Sequence, residues 1–256
     1  MSAGAWPELG AEFLASPLAH RGLHDRAAGV IENSRAAILA AVEAGYGVEL
    51  DLQLSADGEA MVFHDDDLAR LTGAPGPVGA RTASALGGLT LLGADETIPT
   101  LEEILALVAG RAPLLIEVKD QSRALAPVDG RLERRAAALL RGYSGPAALM
   151  SFNPHSVAMC RDAAPDIPRG RTTCAFSGAH WASLPPTRRR ALARLDDLDE
   201  LGCGFISHQH DELGSPEVAA VKASGRAVLA WTIRTKAAET RARAIADNIT
   251  FEGYPA

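Results

Sequence analysis

The sequence predicts an α/β fold in which all 256 residues, 1–256, form a single (β/α)8 TIM-barrel domain. Short segments rich in Val, Ile and Leu alternate with Ala-rich helical segments along the chain, and eight strand-like segments can be counted. Such alternation indicates parallel βαβ units, and this chain length suits a closed barrel. An open doubly wound sheet is the alternative. Its dinucleotide-binding version is disfavoured because no glycine-rich fingerprint follows the first strand.

The predicted elements are bounded by residues typical of turns and helix ends. Asn33 or Ser34 can cap the first long helix, and Gly45 follows its end. Thr100, with Glu103 three residues later, matches a capping box at the start of another helix. The strands are predicted at 17–22, 48–53, 114–119, 147–152, 169–174, 203–207, 227–232 and 248–251. The helices are predicted at 35–44, from 100, 131–141, from about 154, 187–200, 216–223 and 235–246.

One region interrupts the alternation of strands and helices. Residues 60–63 are strand-like and extend the second strand after a turn signal at Asp57-Gly58. Residues 66–98 mix apolar residues with several Gly and Pro. We predict an irregular excursion after the second strand, with one short helix.

The charge balance limits the class of partner. The chain has a net charge of -7, which argues against a general nucleic-acid binder because such proteins need a basic surface. An anionic substrate would therefore need a local cation in the site. The three cysteines are scattered, and we expect them to be small buried residues.

The sequence also suggests where the protein works. The first 17 residues contain no Lys or Arg and carry Glu8 and Glu12, unlike a signal peptide. No apolar run approaches the length of a membrane span. We therefore expect a cytoplasmic protein without stable membrane insertion.

Polar side chains collect at the ends of predicted strands, where the active site of such a barrel lies. Glu49 and Asp51 are two residues apart in a strand and share one face, as do Glu117 and Lys119. Solvated acids on an edge strand would be the simpler interpretation of Glu49 and Asp51 alone. Similar clusters elsewhere favour a site. These are His20-Arg21 at the end of the first strand and His64-Asp65 after residues 60–63.

These residue types together suit the cleavage of a phosphoester. Carboxylates can hold a hard divalent ion, cationic side chains can bind phosphate, and histidines can transfer protons near neutral pH. The candidates are Glu49, Asp51 and Glu117 for the metal, Arg21 and Lys119 for phosphate, and His20 and His64 for proton transfer.

The ordered set of motifs resembles the glycerophosphodiester phosphodiesterase family. The resemblance is dense from His20 to Lys119 and looser afterwards. The motifs are His20-Arg21-Gly22, Glu32-Asn33-Ser34, Glu49-Leu50-Asp51, Asp57-Gly58, Val62-Phe63-His64-Asp65, Ile98-Pro99-Thr100-Leu101-Glu102-Glu103, Glu117-Val118-Lys119, Trp231-Thr232 and Gly253-Tyr254-Pro255. Ser34 stands where the family usually has Thr, and this change retains a hydroxyl.

The resemblance implies a TIM barrel that uses one divalent ion, Mg²⁺ or Ca²⁺, to cleave small glycerophosphodiesters into glycerol 3-phosphate and an alcohol. It assigns His20 and His64 as the acid/base pair and the three acids as metal ligands. It also places Glu32 in support of the phosphate site. Trp231 is either a core residue or a wall of the glycerol pocket. We predict that the substrate's own 2-hydroxyl attacks the phosphorus, since no Ser, Cys or Thr lies within the four polar clusters as a protein nucleophile. Direct attack by water is the rival route.

Two other functions remain open at the level of sequence. One is a related phosphodiesterase that acts on lysophospholipid or sphingomyelin. The other is a catalytically silent barrel that serves as a binding module, which the intact set of histidines, acids and cations disfavours. His208-Gln209-His210 has metal-like spacing, but pocket lining or a solvated loop is the expectation.

Overall fold

Eight parallel strands form a closed ring in the computed structural model, which describes residues 6–256. They are β1 (Leu18–His20), β2 (Gly47–Leu54), β4 (Leu114–Val118), β5 (Ala147–Ser151), β6 (Arg169–Thr173), β7 (Phe205–Gln209), β8 (Ala227–Ile233) and β9 (Asn248–Phe251). Each strand pairs with its neighbours in this order, and β1 pairs with both β2 and β9. The prediction of a (β/α)8 barrel is confirmed, and the alternative of an open sheet is wrong.

A ninth strand, β3 (Ala60–Val62), lies outside the ring. It pairs antiparallel with the end of β2, so that Leu52 is opposite Val62. The segment predicted to extend the second strand therefore folds back on it. This hairpin delivers His64 to the carboxyl end of the barrel, immediately after the strand.

Helices cover the outside of the ring. They are α1 (Glu12–Ala15), α2 (Arg35–Glu43), α3 (Ala69–Thr72), α4 (Ala83–Gly87), α5 (Leu101–Val108), α6 (Arg131–Leu140), α7 (Pro154–Ala163), α8 (Pro186–Ala193), α9 (Leu198–Leu201), α10 (Pro216–Ala223) and α11 (Lys236–Arg243). The side chain of Ser34 caps α2, and Thr100 and Glu103 form the predicted capping box of α5.

The helix predicted at 187–200 is wrong as a continuous element. Helix α8 ends at Ala193, and a separate helix, α9, begins at Leu198. Leu195 lies between them with a φ of 56°, a left-handed conformation that interrupts the helical hydrogen bonds.

The excursion between β3 and α5 has a hydrophobic core of its own. It contains two short helices, α3 and α4, where one was predicted. Its buried side chains include Leu68, Leu71 and Leu86, which pack with Met61 and Phe63 at the barrel edge. The excursion is thus anchored on the same hairpin that carries His64.

The interior of the barrel is filled below the site. Leu18, Leu115, Phe205 and Leu229 point inward from four strands and pack with Phe13 of α1, which covers the amino-terminal end of the ring. The apolar residues at alternate positions of the strands face the helices in a larger cluster. This packing leaves the carboxyl ends of the strands for polar side chains.

Within residues 6–256, no helix is both long and apolar enough to cross a membrane. The prediction that the first 17 residues are not a signal peptide falls partly on residues 1–5, which lie outside the described residues.

The packing of Gly170 predicts an asymmetric response to added methyl groups. A Cβ at Gly170 would lie 2.6 Å from the ring and the backbone oxygen of Phe205, whereas a Cβ at Gly214 meets nothing within 4 Å. Gly170→Ala should lower the free energy of unfolding by about 2–3 kcal/mol because the neighbouring strand cannot move away. Gly214→Ala should change it by less than about 1 kcal/mol. Urea denaturation of both variants measures the difference, and equal stabilities would contradict this account of the barrel interior.

Candidate active site

A cavity of about 340 Å³ opens at the carboxyl ends of the strands. Seven of the nine residues singled out in the sequence line it: His20, Arg21, Glu49, His64, Glu117, Lys119 and Trp231. The other two, Asp51 and Glu32, lie directly behind these side chains and bond to them. The structure therefore brings the whole predicted set together.

Three buried carboxylates form the base of the site. Asp51 of β2 lies opposite Glu117 of β4 in the strand register, and Glu49 precedes Asp51 on the same face. Glu49, Asp51 and Glu117 each offer an oxygen within 4.8 Å of the others. Oxygen ligands from buried acids at this spacing suit Mg²⁺ or Ca²⁺. The residues present therefore fit a hard divalent cation.

Two cations only partly balance these acids. The Nζ atom of Lys119 lies 2.7 Å from Asp51 Oδ1 and 2.7 Å from Glu117 Oε1, and Arg21 Nε lies 3.4 Å from Asp51 Oδ2. Burial alone would raise the pKa of Asp51, but Lys119 and other positive groups lower it. These contacts favour the ionised form of Asp51.

Glu49 carries the negative charge that Lys119 and Arg21 do not balance. Its Oε2 accepts a hydrogen bond from the backbone N–H of Arg21 at 3.0 Å. Burial, together with the carboxylates of Asp51 and Glu117, raises the pKa of Glu49 well above its ordinary value. A divalent cation among the three acids would favour the ionised form of Glu49.

Arg21 owes its position to the loop that follows β1. Its backbone is left-handed, with a φ of 57°, and its Nη1 donates to Glu32 Oε1 at 2.6 Å. Asn33, also left-handed with a φ of 60°, donates from Nδ2 to Asp51 Oδ2 at 2.8 Å. The Glu-Asn pair of the sequence thus holds two site residues at once, through Glu32 and through Asn33.

His20 is largely but not fully buried, and it is held by Glu252, a carboxylate absent from the sequence-based prediction. Its Nδ1 lies 2.5 Å from Glu252 Oε2, and its Nε2 lies 3.9 Å from Glu49 Oε2. Burial lowers the pKa of His20, and the bond to Glu252 opposes this effect. Arg234 Nε in turn donates to Glu252 Oε1 at 2.7 Å. Glu252 directly follows the last strand, so the same rule of polar residues at strand ends could have found it.

His64 has a similar arrangement at the mouth of the cavity. Its Nδ1 lies 2.7 Å from Asp65 Oδ1, and Arg70 holds the same carboxylate. Asp65 has no assigned role in the sequence-based prediction, and Arg70 is absent from it. Each histidine therefore has its Nδ1 bonded to a carboxylate that also binds an arginine.

The opposite side of the cavity is partly aromatic. Trp231 lines the cavity and donates from Nε1 to the backbone oxygen of Ser207 at 2.9 Å. The Phe152 ring packs edge-on against it, with centroids 5.5 Å apart. Trp231 therefore lies at the cavity surface, and its assignment to the glycerol pocket stays a prediction.

The His208-Gln209-His210 segment divides between the cavity and the packing behind it. Gln209 and His210 line the cavity. His208 is buried on the other face of β7, with its Nδ1 2.8 Å from Thr173 Oγ1, and burial lowers its pKa to about 4. Successive residues of a strand face opposite sides, so His208 points away from Gln209. His210 lies beyond the end of β7, in a 3-10 helix (His210–Glu212), and so reaches the cavity although it is two residues from His208.

The ion pairs of Glu32 predict a pH-dependent contribution to stability. Burial alone would raise the pKa of Glu32, but hydrogen bonds and charges from Arg70 and Arg21 lower it from 4.5 to about 2. The stabilisation is therefore present above pH 4.5 and is lost as the pH falls towards 2. Glu32→Gln should cost about 1–2 kcal/mol at pH 7, and this cost should shrink on acidification.

Denaturant unfolding of wild type and variant between pH 7 and pH 3 measures this dependence. Glu43→Gln is the matched control, since Glu43 is exposed near the end of α2. A cost for Glu32→Gln that stays constant over this range would contradict the assigned ion pairs.

Comparison with known proteins places this site in a family. Residues 20–249 match the Glycerophosphoryl diester phosphodiesterase family. A Bacillus subtilis protein described as "Putative glycerophosphodiester phosphodiesterase YhdW" is 26% identical over 247 residues, which cover 93% of this chain and 94% of that protein. A Glycerophosphodiester phosphodiesterase of Caldanaerobacter subterraneus is 32% identical over 161 residues, covering 60% of this chain and 64% of that protein.

Solved structures agree with the fold. An Oleispira antarctica phosphodiesterase, solved in complex with the product sn-glycerol-3-phosphate, has a TM-score of 0.76 and 26% identity and covers 95% of this chain and 94% of its own. A protein from Galdieria sulphuraria shares the fold with a TM-score of 0.75 at 18% identity, covering 92% of this chain and 93% of its own. The resemblance noted in the sequence is confirmed, and the chain belongs to the glycerophosphoryl diester phosphodiesterase family.

Proposed function

We propose that this protein hydrolyses glycerophosphodiesters to glycerol 3-phosphate and an alcohol, with a divalent ion and two histidines. One observation carries the proposal. Three buried carboxylates, two cations and two carboxylate-bonded histidines meet in a single cavity at the ends of the barrel strands. The product-bound Oleispira antarctica relative, which covers nearly the whole chain, supports the same substrate class.

The ion, Mg²⁺ or Ca²⁺, would be held by Glu49, Asp51 and Glu117. When bound there it supplies a positive charge that polarises a phosphoryl oxygen. The buried acids hold a fixed place for it because the register of β2 and β4 sets their separation. Burial also strengthens the attraction between these acids and a cation.

The phosphate would be bound by Arg21 and Lys119. Both line the cavity beside the acids and are themselves held by carboxylates. Their positive charge offsets the repulsion that the acids would exert on an anionic phosphodiester. Glu32 holds the Arg21 guanidinium at 2.6 Å and thereby fixes the direction of its remaining N–H groups.

His20 and His64 would transfer the protons. In each ring Nδ1 is bonded to a carboxylate, so that Nε2 is left for the substrate. One histidine would accept the proton of the attacking hydroxyl, and the other would donate a proton to the departing alcohol. Because a carboxylate holds each ring by its Nδ1, each Nε2 would keep its direction towards the substrate in both proton-transfer steps.

The organic groups of the substrate, which are the glycerol predicted beside Trp231 and the departing alcohol, would lie against the aromatic side of the cavity. Trp231 and Phe152 present ring surface there, and Trp181 extends it with its centroid 5.4 Å from that of Phe152. This apolar surface is the feature that favours the alternative substrates, a lysophospholipid or sphingomyelin. A comparison of glycerophosphocholine with its acylated form separates the two possibilities.

The proposed reaction predicts a metal-dependent release of glycerol 3-phosphate. A panel of glycerophosphodiesters incubated with Mg²⁺ or Ca²⁺ should yield glycerol 3-phosphate and the matching alcohol. Chelator should abolish the activity, and added ion should restore it. Glu49→Gln should lower kcat by about 100-fold or more, since it removes a ligand charge. Full activity of chelated, metal-free protein would refute the metal assignment, and no product from any diester would refute the reaction.

The bond between His20 and Glu252 predicts a specific loss of turnover. Glu252→Gln keeps the size of the side chain but removes the charge that stabilises the protonated ring. We expect kcat to fall by about 10²-fold with a smaller change in KM, because proton transfer suffers more than binding. Steady-state kinetics measure the two constants. A variant with KM raised and kcat intact would instead assign Glu252 to substrate binding.

A further inference from the structure

Arg70 binds two carboxylates at once from outside the cavity. It lies on α3 in the excursion, and its Nε and Nη2 donate to Asp65 Oδ2 and Oδ1 at 2.5 and 2.9 Å. Its Nη1 and Nη2 donate to Glu32 Oε2 and Oε1, both at 2.8 Å. Each carboxylate thus receives a two-point contact, which a planar guanidinium provides and an ammonium does not.

The same two carboxylates hold residues of the site on their other sides. Glu32 Oε1, which accepts from Arg70, also accepts from Arg21 Nη1 at 2.6 Å. Asp65 Oδ1, which accepts from Arg70, also lies 2.7 Å from His64 Nδ1. A continuous series of bonds therefore joins the phosphate-side arginine to the acid/base histidine through one guanidinium.

We infer that Arg70 is a positioning residue that fixes Arg21 and His64 relative to each other through Glu32 and Asp65. This inference rests on the proposed function. Glu32 and Asp65 are like charges, and without a cation between them they would repel and separate. Because one planar group binds both, it sets their distance and hence the spacing between the phosphate and the proton donor or acceptor. Small changes in such spacing cost catalysis heavily.

The base from which Arg70 extends is rigid. Leu68, two residues before it, and Leu71, directly after it, are buried in the core of the excursion. The Arg70 side chain itself is 43% exposed and lies outside the set of cavity-lining residues. Arg70 is thus separated from the described cavity, and its bonds connect it to the site through the two carboxylates.

The test compares Arg70 with Arg35, another arginine that binds the excursion through hydrogen bonds. Arg35 Nη1 donates to the backbone oxygen of Thr97, and Arg35 Nη2 donates to Glu103, away from the site. Arg70→Met and Arg35→Met keep the aliphatic stems and remove the guanidinium bonds. We expect thermal denaturation to detect losses of stability in both variants, whereas kcat/KM should fall about 10- to 100-fold in Arg70→Met alone.

Binding of inorganic phosphate gives a readout that does not depend on turnover. Calorimetric titration should show phosphate affinity reduced several-fold in Arg70→Met and unchanged in Arg35→Met, with Arg21→Lys as the calibrating variant. Arg70→Lys should restore only part of the activity, since it keeps the charge but not the fork. On a Glu32→Gln/Asp65→Asn background, Arg70→Met should cause little further loss, because the partners it acts through are gone.

Two results would overturn the inference. One is an Arg70→Met protein with kcat/KM and phosphate affinity equal to those of Arg35→Met. Arg70 would then contribute to stability alone and not to the position of site residues. The other is an undiminished effect of Arg70→Met on the double-mutant background. If the wild type cleaves no glycerophosphodiester, the proposed function fails instead, and the phosphate titrations still decide the role of Arg70.

Discussion

The site depends on the burial of three like-charged carboxylates at adjoining strand ends. Glu49, Asp51 and Glu117 are at most 7% exposed, and isolated charges in such surroundings are strongly disfavoured. Lys119 and Arg21 supply two compensating charges, and the raised pKa of Glu49 marks the charge that remains. The same imbalance that makes the acids costly for the fold makes them attractive to a divalent cation.

Local sequence patterns predicted the part of the site that obeys a period of two. Glu49 with Asp51, and Glu117 with Lys119, were assigned correctly to shared faces because alternate residues of a strand project together. The resemblance to a known family then assigned a role to each polar cluster. Glu252 directly follows the last strand and satisfies the strand-end rule, but no local pattern links it to His20, which is 232 residues away. Arg70 escaped because its role depends on two carboxylates that meet only after the hairpin and the excursion have folded.

The fold was predicted more completely than the boundaries of its parts. Alternation and length sufficed to predict the ring, since most of its strand segments are apolar and helices separate them along the chain. The break between α8 and α9 was missed because Leu195, an ordinary helix former, adopts a left-handed backbone conformation there. The second short helix of the excursion was missed because its core is shared with Met61 and Phe63, and no single segment shows the pattern.

The packing at the amino-terminal end of the barrel has a consequence for substrate entry and product release. Phe13, Leu18 and Phe205 fill the interior below the acids, so the described cavity communicates with solvent at the carboxyl-terminal mouth. Substrate, alcohol and glycerol 3-phosphate would then use one opening. With a single opening the order of product release matters: under the proposed function, the alcohol would leave while the phosphate remained bound to Arg21 and Lys119. Turnover would then be governed by the exit of the anion as much as by bond cleavage.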